Sequence, residues 1–168
     1  MPIVIARVDD RLVHGQITCS WVNRLKVTRI IVANDKVATT PLLAGMLPYA
    51  APLAANVKIG ALTLKDAVNQ YTSGGYQEDN VMLIAENAQD MLTLLQNGIK
   101  LDWVCLGQTG GKAGRKQIIQ AFSASEEEAK IYREIAKHVN GKMIYQQVAE
   151  EKPMDFLPLL NKVYPEKT

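Results

Sequence analysis

Apolar positions along this chain follow two rhythms that take turns. Short runs rich in Val and Ile occupy Ile3–Val8, Arg29–Ala33, Asn56–Gly60, Val81–Ala85, Trp103–Gly107 and Lys142–Val148. Several are continuously apolar, as expected of strands covered on both faces. The segments between them carry helical spacing. Gly15–Leu25 places Ile17, Trp21, Val22 and Leu25 on one stripe, and Pro41–Ala54 is rich in Ala, Leu and Met. Thr63–Tyr71 opens on a Thr cap with Asp66 three positions later. Asn87–Asn97 opens on an Asn cap and ends at Gly98, a C-terminal capping glycine. Ser125–Val139 opens Ser-Glu-Glu-Glu, with carboxylates at the positive end of the helix dipole, and Gly141 follows it. Pro153–Leu160 reads as a short closing helix.

Strand and helix in alternation predict an α/β fold. Its centre is a mostly parallel sheet of six or seven strands, with right-handed crossovers and helices on both faces. The 168 residues suit one domain. Ser73–Asn80 is a polar connector inside it. Net charge is +2, with Lys and Arg spread along the chain, so no nucleic-acid or membrane field is implied. No apolar run reaches the ~20 residues of a membrane span, and no signal peptide opens the chain. A cytoplasmic location is expected, with docking onto another body left open. Cys19 and Cys105 are far apart and lack metal-ligand spacing, so both read as reduced, largely buried thiols.

The first strand runs into Arg7-Val8-Asp9-Asp10-Arg11-Leu12-Val13-His14-Gly15-Gln16. A loop at the carboxyl end of such a strand is where open α/β sheets hold ligands. A histidine just before a helix is commonly a cap or a surface residue. Here two arginines and two carboxylates are gathered around it, which also suits phosphoryl transfer. Neutral imidazole is a competent nucleophile, and the free side chain is mostly neutral at pH 7. One ring nitrogen attacks while an acceptor holds the other; Asp9 or a backbone carbonyl can serve. Arg11 and Arg7 supply forked donors for the transferred group. Gly15 permits close backbone approach, and the N–H groups from His14 to Ile17, including Gln16, open a helix N-terminus suited to an anion. No metal or other cofactor is called for.

These residues resemble the active-site signature Arg-x-Asp-x-Arg-Leu-x-His-Gly-Gln. It belongs to enzyme IIB subunits of the bacterial phosphoenolpyruvate-dependent sugar phosphotransferase system, mannose/fructose/sorbose family. Arg7, Asp9, Arg11, Leu12, His14, Gly15 and Gln16 match it; Asp10 falls on a variable position. Val32-Ala33-Asn34-Asp35 is similar to a second family segment. The resemblance implies a single IIB phosphocarrier domain over residues 1–168. Its His14 would take a phosphoryl group from enzyme IIA on Nδ1 and pass it to a sugar held by the membrane subunits IIC and IID. It implies peripheral association with that transporter. Members are often dimeric, which leaves a homodimer open. Asn34, Asp35, Gly107 and Gln108 are expected on the rim of the site.

Two positions depart from the family pattern. Cys105 replaces the usual Asn before Gly107, and Glu86 stands where many members carry Lys. Glu86 would repel phosphate if it faced His14. These departures keep a regulatory IIB-like module without sugar transfer as the alternative. The Gly-rich stretch Leu106–Gly111 fails the nucleotide-binding pattern, because Leu106 takes the first glycine's place and Ala113 that of the hydroxyl residue. His138 reads as a solvated residue near a helix end, and Trp21 and Trp103 as core.

Overall fold

The computed structural model describes residues 1–51, 56–140 and 142–166, with the side chains of residues 16–18 also outside the description. In chain order the strands are β1 Ile3–Val8, β2 Arg29–Ala33, β3 Lys58–Leu62, β4 Val81–Ala85, β5 Val104–Leu106, β6 Lys116–Ile119, β7 Phe122–Ala124, β8 Met143–Tyr145 and β9 Met154–Asp155. The helices are α1 Gly15–Leu25, α2 Asp35–Thr39, α3 Pro41–Met46, α4 Leu64–Thr72, α5 Ala88–Gln96, α6 Glu126–His138 and α7 Phe156–Val163. Seven strands form one sheet in the order β3-β2-β4-β1-β5-β8-β9, parallel except for β9 against β8. β6 and β7 form a separate antiparallel pair.

Alternation along the central strand divides the core. Val81, Leu83 and Ala85 of β4 pack with α5, α6 and α7, through Met91, Leu94, Tyr132, Ile135 and Phe156. Met82 and Ile84 point the other way, to Ile5, Trp21, Val37 and Leu47. Period-two geometry on a sheet covered twice requires both sets to be apolar, which is why β4 has no polar residue.

The caps behave as their chemistry predicts. Thr63, Asn87 and Ser125 accept bonds from Asp66, Asp90 and Glu128 N–H, and Glu128 returns the bond to complete a capping box. Gly98 takes φ 115° after α5. Gly141 lies outside the described residues.

Several boundaries differ from expectation, β5 among them, which spans Val104–Leu106 where Trp103–Gly107 was expected. The strand expected from Asn56 begins at Lys58, because Lys58 is the residue that opens the pairing with Arg29. The helix expected over 41–54 stops at Met46 and continues as a 3-10 turn at Leu47–Ala50. Pro48 lacks the N–H an α-helix needs there; residues 52–54 lie outside the described set. The last strand stops at Tyr145, and the carbonyls of Gln146 and Gln147 turn instead to the Arg7 guanidinium. The closing helix starts at Phe156, since Met154 and Asp155 pair with Tyr145 and Ile144. α2, the β6–β7 pair and β9 were not expected.

β1 lies between β4 and β5. The chain leaves β1 toward β2 on one side and leaves β5 toward β8 on the other. Adjacent strand ends whose connections diverge open a crevice between them. The His14 loop stands at this one.

Candidate functional site

After Val8 the backbone leaves the sheet under tight control. Asp9 N–H donates to Ala85 O at 3.0 Å, Asp10 N–H to Gln108 O at 3.0 Å, and Leu12 N–H to Asp9 O at 3.1 Å. Leu12 then takes φ 58°, the left-handed region. That conformation costs a leucine roughly 1–2 kcal/mol. It reverses the chain so that Val13 is buried and His14 stands at the N-cap of α1. The imidazole makes no cap bond. No acidic residue occupies the first turn of α1, so the positive end of that helix is unneutralised locally.

Asp9 is the hub. Its carboxylate is fully buried. Oδ1 accepts from Arg11 N–H at 3.1 Å and Arg11 Nε at 3.0 Å. Oδ2 accepts from Arg11 Nη2 at 3.1 Å and Arg7 Nε at 3.3 Å. His14 Nε2 lies 3.7 Å from Oδ2, beyond hydrogen-bond reach but within strong electrostatic range. Burial alone would raise the Asp9 pKa; His14, Arg11 and Arg7 overcome it and hold the group at about 2. Nε2 of His14 is buried with no hydrogen-bond partner, while the side chain as a whole is 23% exposed. Arg11 is 30% exposed, and its paired face is committed to Asp9.

The structure corrects the expected role of Arg7. Its side chain is buried and donates four hydrogen bonds, with a further ion-pair contact to Asp9. Nε and Nη2 face Asp9 Oδ2 at 3.3 Å, Nη1 reaches Cys105 Sγ at 3.0 Å and Gln146 O at 2.8 Å, and Nη2 reaches Gln147 O at 2.9 Å. All three nitrogens are turned to these inward acceptors, so Arg7 supports Asp9 from beneath. Trp21 closes the same corner, its Nε1 donating to Gln147 O at 3.0 Å with Arg7 above its ring. Cys105 is sealed in, and burial pushes its thiol up to about 11 despite Arg7 beside it. It stays protonated at neutral pH and is no nucleophile.

The glycines exchange roles. A Cβ on Gly107 would collide with the Asp9 carboxylate and the Arg7 guanidinium. Gly107 is therefore floor, where a rim was expected. At Gly15 a Cβ would meet only Ala50 O at 3.6 Å, so the fold itself does not require glycine there. Gln16 and Ile17 lie in the first turn of α1; their side chains are outside the described residues. Asn34 caps α2 through Val37 N–H and donates to Glu86 Oε2 at 2.7 Å. Glu86 is thus held by Asn34 at the neighbouring strand end. Asp35 accepts from Leu64 N–H at 2.8 Å. The backbone carbonyl of Gln108 serves Asp10. Nothing in the local sequence marks Gln146 and Gln147, and Asp10, read as a variable position of the loop, instead accepts from Gly110 N–H. A cleft of about 890 Å³ lined by Arg133, Lys137 and Tyr164, and a hollow of about 360 Å³ lined by Asp35, Leu64 and Asn69, both lie away from His14.

The family model for the PTS system sorbose subfamily IIB component matches residues 3–167. The chain belongs to this family. It is 31% identical over 162 residues to the sorbose-specific EIIB component of Klebsiella pneumoniae, covering 96% of this chain and 97% of that one. It is 29% identical to the fructose-specific EIIB component of Bacillus subtilis, covering 97% and 98%. The crystal structure of the IIBSor domain of the K. pneumoniae sorbose permease superposes with a TM-score of 0.89 at 30% identity, covering 98% of this chain and 99% of that one.

Two predictions follow from the geometry around the Asp9 carboxylate of this IIB chain. Gly107→Ala should cost about 1–3 kcal/mol or more through overpacking, whereas Gly15→Ala should stay within about 0.5 kcal/mol. Urea midpoints compare them; equal costs would contradict the packing described. The depressed Asp9 pKa stabilises the fold above the ordinary carboxylate pKa of ~3.9, and that stability is lost as pH falls through about 2. Asp9→Asn leaves Arg7 buried and unpaired, so it should cost roughly 3–5 kcal/mol at pH 7. The gap to wild type should narrow as pH approaches 2. A gap independent of pH between 7 and 2 would show that the Asp9 charge is not what matters.

Proposed function

We propose that this chain works as one phosphocarrier domain, with His14 as the carrier. It accepts a phosphoryl group from a phosphohistidine on enzyme IIA and passes it to a sugar held by IIC and IID, with which it associates peripherally. The single observation that carries this reading is the seating of the imidazole. Nε2 is turned inward toward the buried Asp9 carboxylate, and the ring stays partly exposed. A proton on Nε2 leaves the lone pair on Nδ1. Nδ1 forms the N–P bond in line as the donor's N–P bond breaks, and no proton need leave His14. Asp9 stabilises the positive charge the ring then gains. Arg11 and the N–H groups opening α1 balance the charge on the phosphoryl oxygens. Loss to a sugar hydroxyl reverses the step, with the hydroxyl proton going to an acceptor beside the sugar.

Other observations agree. The His14 side chain is 23% exposed, as suits a histidine that must meet two large partners. Leu42, Met46 and Tyr49 are 73%, 57% and 84% exposed, in the segment that abuts Gly15 at Ala50. Exposed apolar groups clustered this way suit a docking face. Among the described residues no helix is long and apolar enough to cross a membrane, so sugar passage falls to other subunits in this reading. One relative, the mannose-specific EIIAB component of Escherichia coli, is matched over 50% of its length, and its name joins IIA to IIB. The features that favoured a purely regulatory module lose weight: Glu86 is engaged by Asn34, and Cys105 serves Arg7.

Incubation with phosphoenolpyruvate, the general carrier proteins and a matching enzyme IIA should give an acid-labile, alkali-stable adduct. His14→Ala should not label, and the Cys19→Ser, Cys105→Ser double variant should. Label retained by His14→Ala, or lost with the thiols, would overturn the assignment. Arg11→Lys should slow transfer by about tenfold or more, because an ammonium cannot fork onto Asp9. Transfer at the wild-type rate in that variant would remove Arg11 from the machinery.

A further inference from the structure

The loop between β5 and β6 carries glycines at 107, 110, 111 and 114, and Gly114 takes φ 82°. Such a stretch is costly to order. It is nevertheless gripped at one residue, through the two peptide groups that flank it. Gly110 N–H donates to Asp10 Oδ2 at 2.6 Å, and Gly110 O accepts from Arg115 Nη1 at 2.8 Å. The other face of Arg115 forks onto Glu128, Nε to Oε2 at 2.8 Å and Nη2 to Oε1 at 2.5 Å. Glu128 is in turn fixed by the α6 capping box, accepting from Ser125 N–H at 2.8 Å. Asp10 closes a ring through its own N–H to Gln108 O. The Arg115 and Glu128 side chains are 12% and 22% exposed, so water screens the pair only in part.

This line of contacts runs from the start of α6 to the residue between Asp9 and Arg11. Two positions beyond Asp10, Leu12 holds its left-handed conformation. Strained backbone persists only where its surroundings over-determine it. We infer that Asp10, the backbone of Gly110, Arg115 and Glu128 form a tether that positions the His14 loop, with Asp10 and Arg115 as positioning residues that never touch the phosphoryl group. The inference rests on His14 being the carrier. In its absence the turn would relax, and the ring would lose its aim while the docking face stayed whole. A misaimed reacting atom lowers the rate within the complex far more than it lowers affinity.

Three variants test this. Asp10→Ala removes the acceptor for Gly110 N–H. Asp10→Asn keeps an acceptor oxygen in its place. Arg115→Lys keeps the charge opposite Glu128 but cannot reach Gly110 as well. Transfer from phospho-IIA should show kcat lowered about tenfold in Asp10→Ala and Arg115→Lys, with KM for phospho-IIA within about twofold of wild type and kcat largely restored in Asp10→Asn. Amide exchange over residues 9–15, which needs no donor, should accelerate in Asp10→Ala and Arg115→Lys alone. Wild-type kcat in both of those variants, a change confined to KM, or no rescue by Asp10→Asn would overturn the tether. A wild type that never labels would sink the carrier reading instead, and the exchange measurement would still decide whether the tether holds the loop.

Discussion

The buried pair of Arg7 and Asp9 is the constraint around which this end of the fold is built. Bringing two charges out of water costs several kcal/mol per ion before any contact is counted. Attraction between them offsets that only if every remaining donor and lone pair is matched. The chain meets this condition with parts that are distant in sequence. Cys105 comes from β5, and Gln146 and Gln147 from the end of β8. Gly107 contributes by having no side chain, because the pair fills the volume its Cβ would need. The early end of β8 has the same origin: carbonyls that would extend the strand are taken by a guanidinium.

From that pair the electrostatics of the loop follow. Arg7 fixes Asp9 from below and Arg11 clasps it from the side, so the carboxylate has little freedom left. A carboxylate held at about pKa 2 stays charged at neutral pH. It therefore presents a fixed negative point to the inner nitrogen of His14. Two guanidiniums and one carboxylate leave the cluster with one positive charge, and the start of α1 adds to it. That balance suits an anion which must arrive and leave. A stronger positive field would hold phosphate too well, and a neutral one would not draw it from a donor.

Much of this was legible in the chain, and what escaped did so for physical reasons. The central strands and α1, α4, α5 and α6 follow from apolar period and caps, both local properties. The His14 loop was legible because its charges are adjacent in sequence, and its family resemblance spans seven matching residues. The inward commitment of Arg7 was not legible, since its partners lie about 140 positions away in a segment with no marked composition. β9 and the β6–β7 pair were missed because two to four residues are too few to show a period. Gly107 was recognised as important but assigned to the rim; only the packed structure reveals what occupies the volume beside its Cα. The engagement of Glu86 by Asn34 is likewise a contact that no linear pattern encodes.

The division of labour between the two arginines clarifies why both are needed. A single arginine cannot be buried deeply enough to lock Asp9 and also remain available at the surface. Burial turns all three nitrogens of Arg7 inward, and partial exposure leaves Arg11 with Nη1 unmatched among the described residues. The inner residue provides rigidity, and under the proposed function the outer one provides contact with the group His14 carries. An unlocked Asp9 would swing toward an incoming phosphoryl group only to repel it. With Asp9 pinned on the far side of the ring, the same negative charge acts through the imidazole, favouring the inner nitrogen as the one that bears the proton. In the proposed transfer, the carboxylate helps because Arg7 prevents it from approaching the phosphoryl group.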